Sequence, residues 1–339
     1  MLSLAARLAI RAAGDVEPNP MVGAVLVRDG AILGMGHHRR FGGLHAEREA
    51  LADCRRRGND PRGSTAFVTL EPCCHYGKQP PCTDALIEAG VARVVYARRD
   101  PHAVSGGGAG VLERAGIACE LCEDSPLATR LADPFVKRVT TGLPWVIAKW
   151  AQTADGRLTT RPGEPRWISN ELSLKRVHRL RARVDAIVTG VGTVAADDPL
   201  LTARGVRRVR RVAARVVLTG GRGLPAGSRL ARGEGAGEVL VLPGFAERAD
   251  LGAALRLLAA AHGATNVMLE CGPTLLAAFA AGGFIDEAFV YAAPGPDGAP
   301  TGADSLGAAG AWLAGLTLVR SKPLGRDTEH WFRRSGPSG

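Results

Sequence analysis

The sequence predicts an α/β protein built from two domains. Three observations carry this expectation. The chain has 339 residues, a length that suits two domains at about 100–200 residues each. Short apolar runs bounded by Gly, Pro, Asp or Asn alternate with helix-like segments along the chain. The run Thr140-Thr-Gly-Leu-Pro144 interrupts that alternation, which restarts at Trp145, so the expected domains are residues 1–141 and 145–339. Hydrophobic residues make up 46% and charged residues 22%, a balance that supports packed cores and argues against wholesale disorder.

Met1 to Asp15 reads as an amphipathic helix, because Arg7 and Arg11 break what would otherwise be an apolar leader. Residues 22–28 form a strand, Asp29-Gly30 a hairpin turn, and Ala31 to Gly36 the return strand. A helix over 45–57 follows, with Ala46, Ala50 and Leu51 on one face. Next come strand Thr65–Leu70, helix Thr83–Gly90 after Pro80-Pro81, and strand Val91–Tyr96. Ser105 to Gly108 reads as a loop, Ile117–Leu121 as a strand, and Pro126 to Val139 as one helix. The second domain reads as strand 145–150, helix 170–182, and strands 185–190, 212–218 and 238–242. Helix 248–262, strand 266–269, helix 273–281 and strand 287–292 complete it. The glycines of Thr189-Gly-Val-Gly-Thr193 suggest a turn.

The chain carries 43 Lys+Arg against 33 Asp+Glu, a net charge of +10, and most of the excess lies after residue 140. That balance suits nucleic acid, anionic membranes or phosphorylated small molecules. Aromatic residues are only 5%, too few for a base-stacking surface, so nucleic acid is the weakest of these partners. No apolar run reaches the roughly 18–20 residues of a membrane span, and a soluble, cytoplasmic protein is expected. Arg204, Arg207, Arg208, Arg210, Arg211 and Arg215 form a basic run that reads first as a solvated loop leading into a strand. The seven cysteines, without a signal peptide, favour a metal site over a disulfide framework. Cys119-Glu-Leu-Cys122 sits in a strand with no helix start to lower a thiol pKa, so it does not read as a redox pair.

The metal candidates are His45-Ala-Glu47, Glu71-Pro-Cys73 and Pro80-Pro-Cys82. One imidazole and two thiolates leave a zinc ion one open position and enough Lewis acidity to activate water. A carboxyl group that is not a ligand must then move protons, and Glu47 fits that role. His45 and Glu47 are two residues apart, which is not same-face spacing, so they converge only if His45 stands at the helix start. Cys73 and Cys82 are nine apart, a spacing that needs a loop between them and Cys82 at a helix start. Cys74 is the competing ligand; Pro72 fixes the turn at Cys73 and favours the latter.

These segments, with Asn19-Pro-Met-Val-Gly-Ala-Val-Leu-Val27 and the run from Val68 to Cys82, resemble the bifunctional riboflavin-biosynthesis deaminase/reductase family. The resemblance extends over about residues 3–335. It implies a cytidine-deaminase-like αβα domain followed by a dihydrofolate-reductase-like α/β domain. It further implies zinc on His45, Cys73 and Cys82, with Asn19, His38, His75 and Lys78 at the substrate. Lys78 suits a phosphate, and Asn19 a pyrimidine edge.

In the second half, Glu270-Cys-Gly272-Pro273-Thr274 joins a strand to a helix. Gly272 permits close backbone approach, Pro273 suits the first helical turn, and the free N–H groups there favour phosphate. By resemblance this half binds NADPH near Ala151, Trp167, Thr193, Asp197 and Gly272, Pro273, Thr274, Leu275, Leu276, Ala277 and Ala278. The phosphoribosylated pyrimidine is expected near Arg181, Leu201, Arg204 and Glu270, since a guanidinium fork matches phosphate oxygens. Lys149, Asp197 and Glu270 are the candidates for the proton that accompanies hydride transfer. Pro165 and Thr153 stand where the family usually has Ser, and Thr219-Gly220 where it has Asp-Ser. The expected reaction is hydrolytic deamination of a diaminopyrimidinone phosphoriboside, then NADPH-dependent reduction of its ribosyl chain, in a homo-oligomer; the alternatives are an active deaminase with a degraded reductase domain and a nucleic-acid base deaminase with a basic binding domain.

Overall fold

The computed structural model describes residues 1–158, 168–242, 248–295 and 297–334. It divides into two units, Met1–Gly142 and Leu143–Gly339.

The strands of the first unit are β1 (Gly23–Arg28), β2 (Ala31–His37), β3 (Thr65–Val68), β4 (Arg93–Tyr96) and β5 (Ala118–Leu121), in the spatial order β2-β1-β3-β4-β5. The helices are α1 (Leu2–Ala9), α2 (Ala46–Arg56), α3 (Cys82–Glu88), α4 (Gly108–Arg114), α5 (Pro126–Thr129) and α6 (Asp133–Thr141). β1 runs antiparallel to β2 and β3, and β3, β4 and β5 are parallel. Asp29 and Gly30 both have positive φ, which the tight β1–β2 turn needs to follow the strand twist. Alternation divides the sheet: Ala24, Leu26, Ala66, Val68 and Val94 pack with Ala50, Leu51, Leu86 and Leu112 of α2, α3 and α4. On the other face Val25 meets Ala5 and Leu8 of α1, and Val95 meets Leu2, Ala6, Ala128 and Leu131. The result is a three-layer αβα unit.

Backbone contact sets α2 against β2. A Cβ on Gly34 would lie 2.5 Å from both the Ala50 carbonyl oxygen and the Cys54 nitrogen. Gly34→Ala therefore forces the helix away from the strand. The expected loss is about 1–3 kcal/mol, read as a lower unfolding midpoint in urea. An unchanged midpoint would refute this close packing.

Two expectations need correction here. The first helix ends at Ala9, passes into a 3₁₀ turn at Ile10–Ala12 and stops before Gly14, whose φ is 89°. The single helix expected over 126–139 is two, because Pro134 has no N–H to give and its ring crowds the carbonyl one turn back. The chain restarts at Asp133 with Pro134 in the new first turn.

The second unit contains β6 (Trp145–Gln152), α7 (Glu171–Arg181), β7 (Ala186–Gly190), α8 (Val191–Asp197), β8 (Ala214–Leu218), β9 (Val239–Leu242) and α9 (Arg248–Ala261). β10 (Asn266–Leu269), α10 (Pro273–Ala281), β11 (Glu287–Ala292), β12 (Leu316–Leu324) and β13 (Asp327–Arg334) follow. The sheet order is β12-β13-β11-β6-β10-β7-β8-β9. The strands from β11 to β9 are parallel, and β13 and β12 are antiparallel additions. One face packs Val146, Val188, Val267 and Val290 against α9 and α10, and the other packs Ile147, Ile187 and Met268 against α7 and α8. Burial on both faces fits a parallel sheet.

The β12–β13 hairpin was not legible beyond Ala292. β12 is an edge strand and almost wholly exposed, so it lacks the apolar alternation that marks a half-buried strand. The turn expected at Thr189–Thr193 is a helix start: Gly190 caps α8, and Gly192 lies within it without a positive φ. The arginine run is not uniformly solvated either. Arg211 pairs with Asp185, and Arg215 is 1% exposed. Among the described residues no helix is long and apolar enough to cross a membrane.

Candidate active sites

In the first unit, three segments bring their side chains to one point. His45 is the N-cap of α2, with extended backbone (φ −72°, ψ 161°), so its imidazole leaves the helix start on the side where Glu47 enters the first turn. Cys82 opens α3 behind Pro81. Cys73 lies in the loop after β3, and the buried Glu71 ties that loop down by accepting the N–H groups of Asp100 (3.1 Å) and Ala109 (3.0 Å). A Cβ on Gly108 would lie 1.8 Å from the Pro72 carbonyl oxygen, so α4 can press against this loop only through glycine. Glu71 and Gly108 were present in the sequence without an assigned task; their role appears only when the loop is seen to need anchoring. Arg48 similarly donates to the Pro81 carbonyl (2.9 Å), linking α2 to the start of α3.

His45 Nδ1 is 3.5 Å from Cys73 Sγ and 3.4 Å from Cys82 Sγ, and the three ligand atoms lie within 4.8 Å of one another. A tetrahedral zinc with bonds of about 2.0–2.3 Å needs ligand atoms roughly 3.3–3.8 Å apart, so the donor set and spacing fit the ion. Cys74 turns away: its thiol donates to the Ser105 and Gly106 carbonyls. The neighbouring Cys82 thiol, followed by the His45 hydrogen bond, holds the Cys73 thiol down to about 4, the ionised form a metal requires. Burial, followed by the Cys73 thiolate, pushes the Glu47 carboxyl up to about 7. Cys73→Ala is expected to lose the metal and Cys74→Ala to keep it, as read by bound zinc per chain. Loss in the second variant alone would reverse the ligand assignment.

A pocket of about 280 Å³ opens above this cluster, close to the lower end for small-ligand sites. Its lining includes Asn19, His38, His45, Glu47, Cys73, His75 and Lys78. His38 is 3% exposed; its Nδ1–H donates to the Leu44 carbonyl (2.8 Å), leaving Nε2 to accept from the Asn19 amide (3.1 Å). Burial holds the His38 imidazole below the usual histidine range, consistent with this neutral form. Lys78 lies over the Phe41 ring, 3.9 Å from its centre.

In the second unit the polar cluster lies around the C-terminal ends of β6, β7 and β10. A crevice at these ends is where parallel sheets bind ligands. Glu270, just past β10, receives Arg181 Nε (2.6 Å) and Nη2 (2.8 Å), and Lys149 Nζ is 3.8 Å away. Burial would raise the Glu270 carboxyl, but Arg181 and Lys149 outweigh it and hold it down to about 2. Burial takes the Lys149 ammonium below the usual lysine range. The third nitrogen of Arg181, Nη1, donates to the Thr202 carbonyl (3.2 Å), so its fork is committed within the protein. Arg204 is exposed beside it, with Nη1 on Thr202 Oγ1 (3.1 Å). Asp197 is exposed at the end of α8. Leu201 turns into the core.

Thr193 Oγ1 accepts the Gly272 N–H (3.1 Å), joining the starts of α8 and α10. No atom lies within 4 Å of a Cβ placed on Gly192, and on Gly272 it would meet only Thr193 Oγ1, at 3.8 Å. Open glycine backbone at two adjacent helix starts suits the close approach of a dinucleotide phosphate backbone, so these residues fit NADPH. Ala151 lies on β6, and Leu276 of α10 faces the core. Pro273, Thr274, Leu275, Ala277 and Ala278 occupy the same helix. Trp167 and Pro165 lie outside the described residues.

Residues 1–98 match the cytidine and deoxycytidylate deaminase zinc-binding region, and residues 144–329 match the RibD C-terminal domain. The chain is 37% identical over 316 residues to the riboflavin biosynthesis protein RibD of Aquifex aeolicus, with 86% of each chain covered. The chain belongs to the RibD family. The RibD of Mycobacterium tuberculosis is 39% identical over 316 residues, covering 90% of this chain and 88% of the relative. A crystal structure from Thermotoga maritima, described as a diaminohydroxyphosphoribosylaminopyrimidine deaminase/5-amino-6-(5-phosphoribosylamino)uracil reductase, superposes with a TM-score of 0.82. It is 32% identical, with 98% of this chain and 97% of that chain covered. As a RibD family member the chain is a bifunctional enzyme of riboflavin biosynthesis, a zinc-dependent deaminase joined to an NADPH-using reductase.

Proposed function

We propose that residues 1–141 deaminate 2,5-diamino-6-(5-phosphoribosylamino)pyrimidin-4(3H)-one and that residues 145–339 reduce the ribosyl chain of the resulting 5-amino-6-(5-phosphoribosylamino)uracil to ribityl. The observation that carries the first step is the His45–Cys73–Cys82 cluster in the pocket that Glu47 also lines. When bound, zinc supplies the Lewis acidity that makes water a nucleophile at neutral pH. Glu47 takes one proton from the attacking water and gives it to the ring nitrogen, then carries the second, from the hydroxyl so added, to the departing amine. The carbon gains oxygen as its bond to nitrogen breaks, and ammonia leaves. Asn19, oriented by His38, addresses the pyrimidine edge, with His75 beside it, and Lys78 meets the phosphate.

In the second step NADPH supplies a hydride to the open-chain ribosyl carbon. The chain's task is to orient the two reactants and deliver one proton. Glu270 is held as a carboxylate and is a poor acid at neutral pH, whereas Lys149, partly buried beside it, carries a proton it releases more readily than an exposed lysine. We assign the proton to Lys149. Asp197 acts on Lys149 through its charge. Arg204, exposed beside the committed Arg181, meets the substrate phosphate. The +10 balance then serves phosphorylated small molecules in the cytoplasm, not nucleic acid.

Mass spectrometry of the product formed from the diaminopyrimidinone phosphoriboside, with and without NADPH, tests both steps. Ammonia should appear without NADPH, and the reduced product only with it. Ammonia released from single-stranded RNA but not from the phosphoriboside would replace this reading with the nucleic-acid one.

A further inference from the structure

Arg215 stands on the core side of β8, between Ala213 and Val217, and is 1% exposed. Among the described residues its guanidinium has no carboxylate partner. It donates instead to four backbone carbonyls: Nη1 to Leu200 (3.4 Å) and Glu234, and Nη2 to Gly235 (3.4 Å) and Gly237 (2.6 Å). Its Nε has no partner. An apolar side chain of similar length would serve the core as well without the desolvation of a charge. The carbonyls belong to two separate segments, so the guanidinium bridges 198–204 and 234–237.

The first of these segments is strained. Asp198 (φ 43°) and Leu201 (φ 53°) both lie in the left-handed region, where side chains other than glycine are disfavoured. Such strain persists only where the surroundings over-determine it. Asp198 Oδ1 accepts the Arg229 N–H (2.7 Å), and Arg215 holds the Leu200 carbonyl next to Leu201. Thr202, next in the chain, gives its carbonyl to Arg181 and its hydroxyl oxygen to Arg204. The segment thus runs from a buried cation to the two arginines beside Glu270.

We propose that Arg215 is a positioning residue of the reductase unit. Its guanidinium clamps the strained 198–204 segment to the 234–237 turn, so that Thr202 and Arg204 are set in place before the phosphoribosyl substrate arrives. The proposal rests on the reading that Arg204 meets the substrate phosphate. Arg215 touches neither reactant, so its loss acts on substrate binding and not on hydride transfer.

The test uses the full chain carrying Arg215→Met. Amide hydrogen exchange of residues 198–204 is expected to rise about tenfold or more. KM for the phosphoribosylated uracil should rise about tenfold while kcat and NADPH affinity stay within about threefold, the split expected when only binding is lost. Gly235→Ala gives a second route: its Cβ would lie 3.0 Å from Thr202 Cγ2 and 3.2 Å from Arg215 Nη1, wedging the same clamp open. It carries the same two readouts if the methionine variant does not fold. Unchanged exchange at 198–204 in a folded variant overturns the proposal. So does faster exchange with wild-type KM when Arg204→Ala raises KM. If Arg204→Ala leaves KM unchanged, the phosphate reading itself falls, and this inference with it.

Discussion

Glu47→Gln is expected to abolish deamination while leaving one zinc per chain. Glu47 is 4% exposed, and the amide has nearly the same shape, so the helix start that carries His45 should not move. What the amide cannot do is accept and return a proton. General acid–base catalysis is worth about 10²–10⁴-fold, and a fall of this size in kcat is the expected result. Stability should not fall with it. In the metal-free protein, burial of the Glu47 carboxyl favours its neutral form. That contribution is fully present below the ordinary carboxylate pKa and is lost as pH rises toward 7. The neutral amide avoids the loss, so the metal-free variant should be at least as stable as wild type at pH 8. Ammonia release above a tenth of the wild-type rate, with zinc retained, would remove Glu47 from the reaction. Loss of zinc would instead make it part of the metal's support.

Glu270→Gln has the second largest expected effect, on both reductase activity and stability. Glu270 is the one carboxylate shared by Arg181 and Lys149 among the described contacts of the site, and it is 7% exposed. Neutralising it leaves two partly buried cations facing each other. Removing one partner of such a pair typically costs about 3–5 kcal/mol. Reduction should fall by at least about 10²-fold, because Lys149 loses the group that holds its ammonium in position. The pH dependence follows from the depressed carboxyl. Its folded value of about 2 lies below its ordinary value, so its contribution is present above about 4.5 and lost as pH falls toward 2. The stability gap between wild type and Glu270→Gln, on the order of 3 kcal/mol at pH 7, should therefore close in acid. Urea unfolding with and without NADPH identifies the relevant transition. A gap that stays constant from pH 7 to pH 3 would show that the ion pair is not its source.

The two sites differed in how far residue order could reveal them. His45, Glu47, Cys73 and Cys82 lie within one helix–strand–helix stretch, and the roles proposed for them rest on helix starts that glycine and proline mark locally. The second site draws Lys149, Arg181, Arg204 and Glu270 from four separate elements. Arg181 and Glu270 each suit a ligand when read singly; that they satisfy each other is a distance of 2.6 Å and is not encoded in either neighbourhood. Arg215 shows the same limit. In the sequence it belongs to a basic run, and only the β8 register turns it inward while Arg211 reaches Asp185.

The amino-acid order by itself determined the two α/β units, the boundary near residues 140–144, the spacing of the candidate metal ligands and the family resemblance. These depend on short-range constraints: alternation, turn residues and helix starts. Tertiary structure alone decided which thiol turns away at Cys73-Cys74, which arginine is committed and which is exposed, and that an edge hairpin closes the sheet at 316–334. Those outcomes depend on what lies opposite each side chain across the fold. Burial then turns a residue type with several possible partners into a group with one.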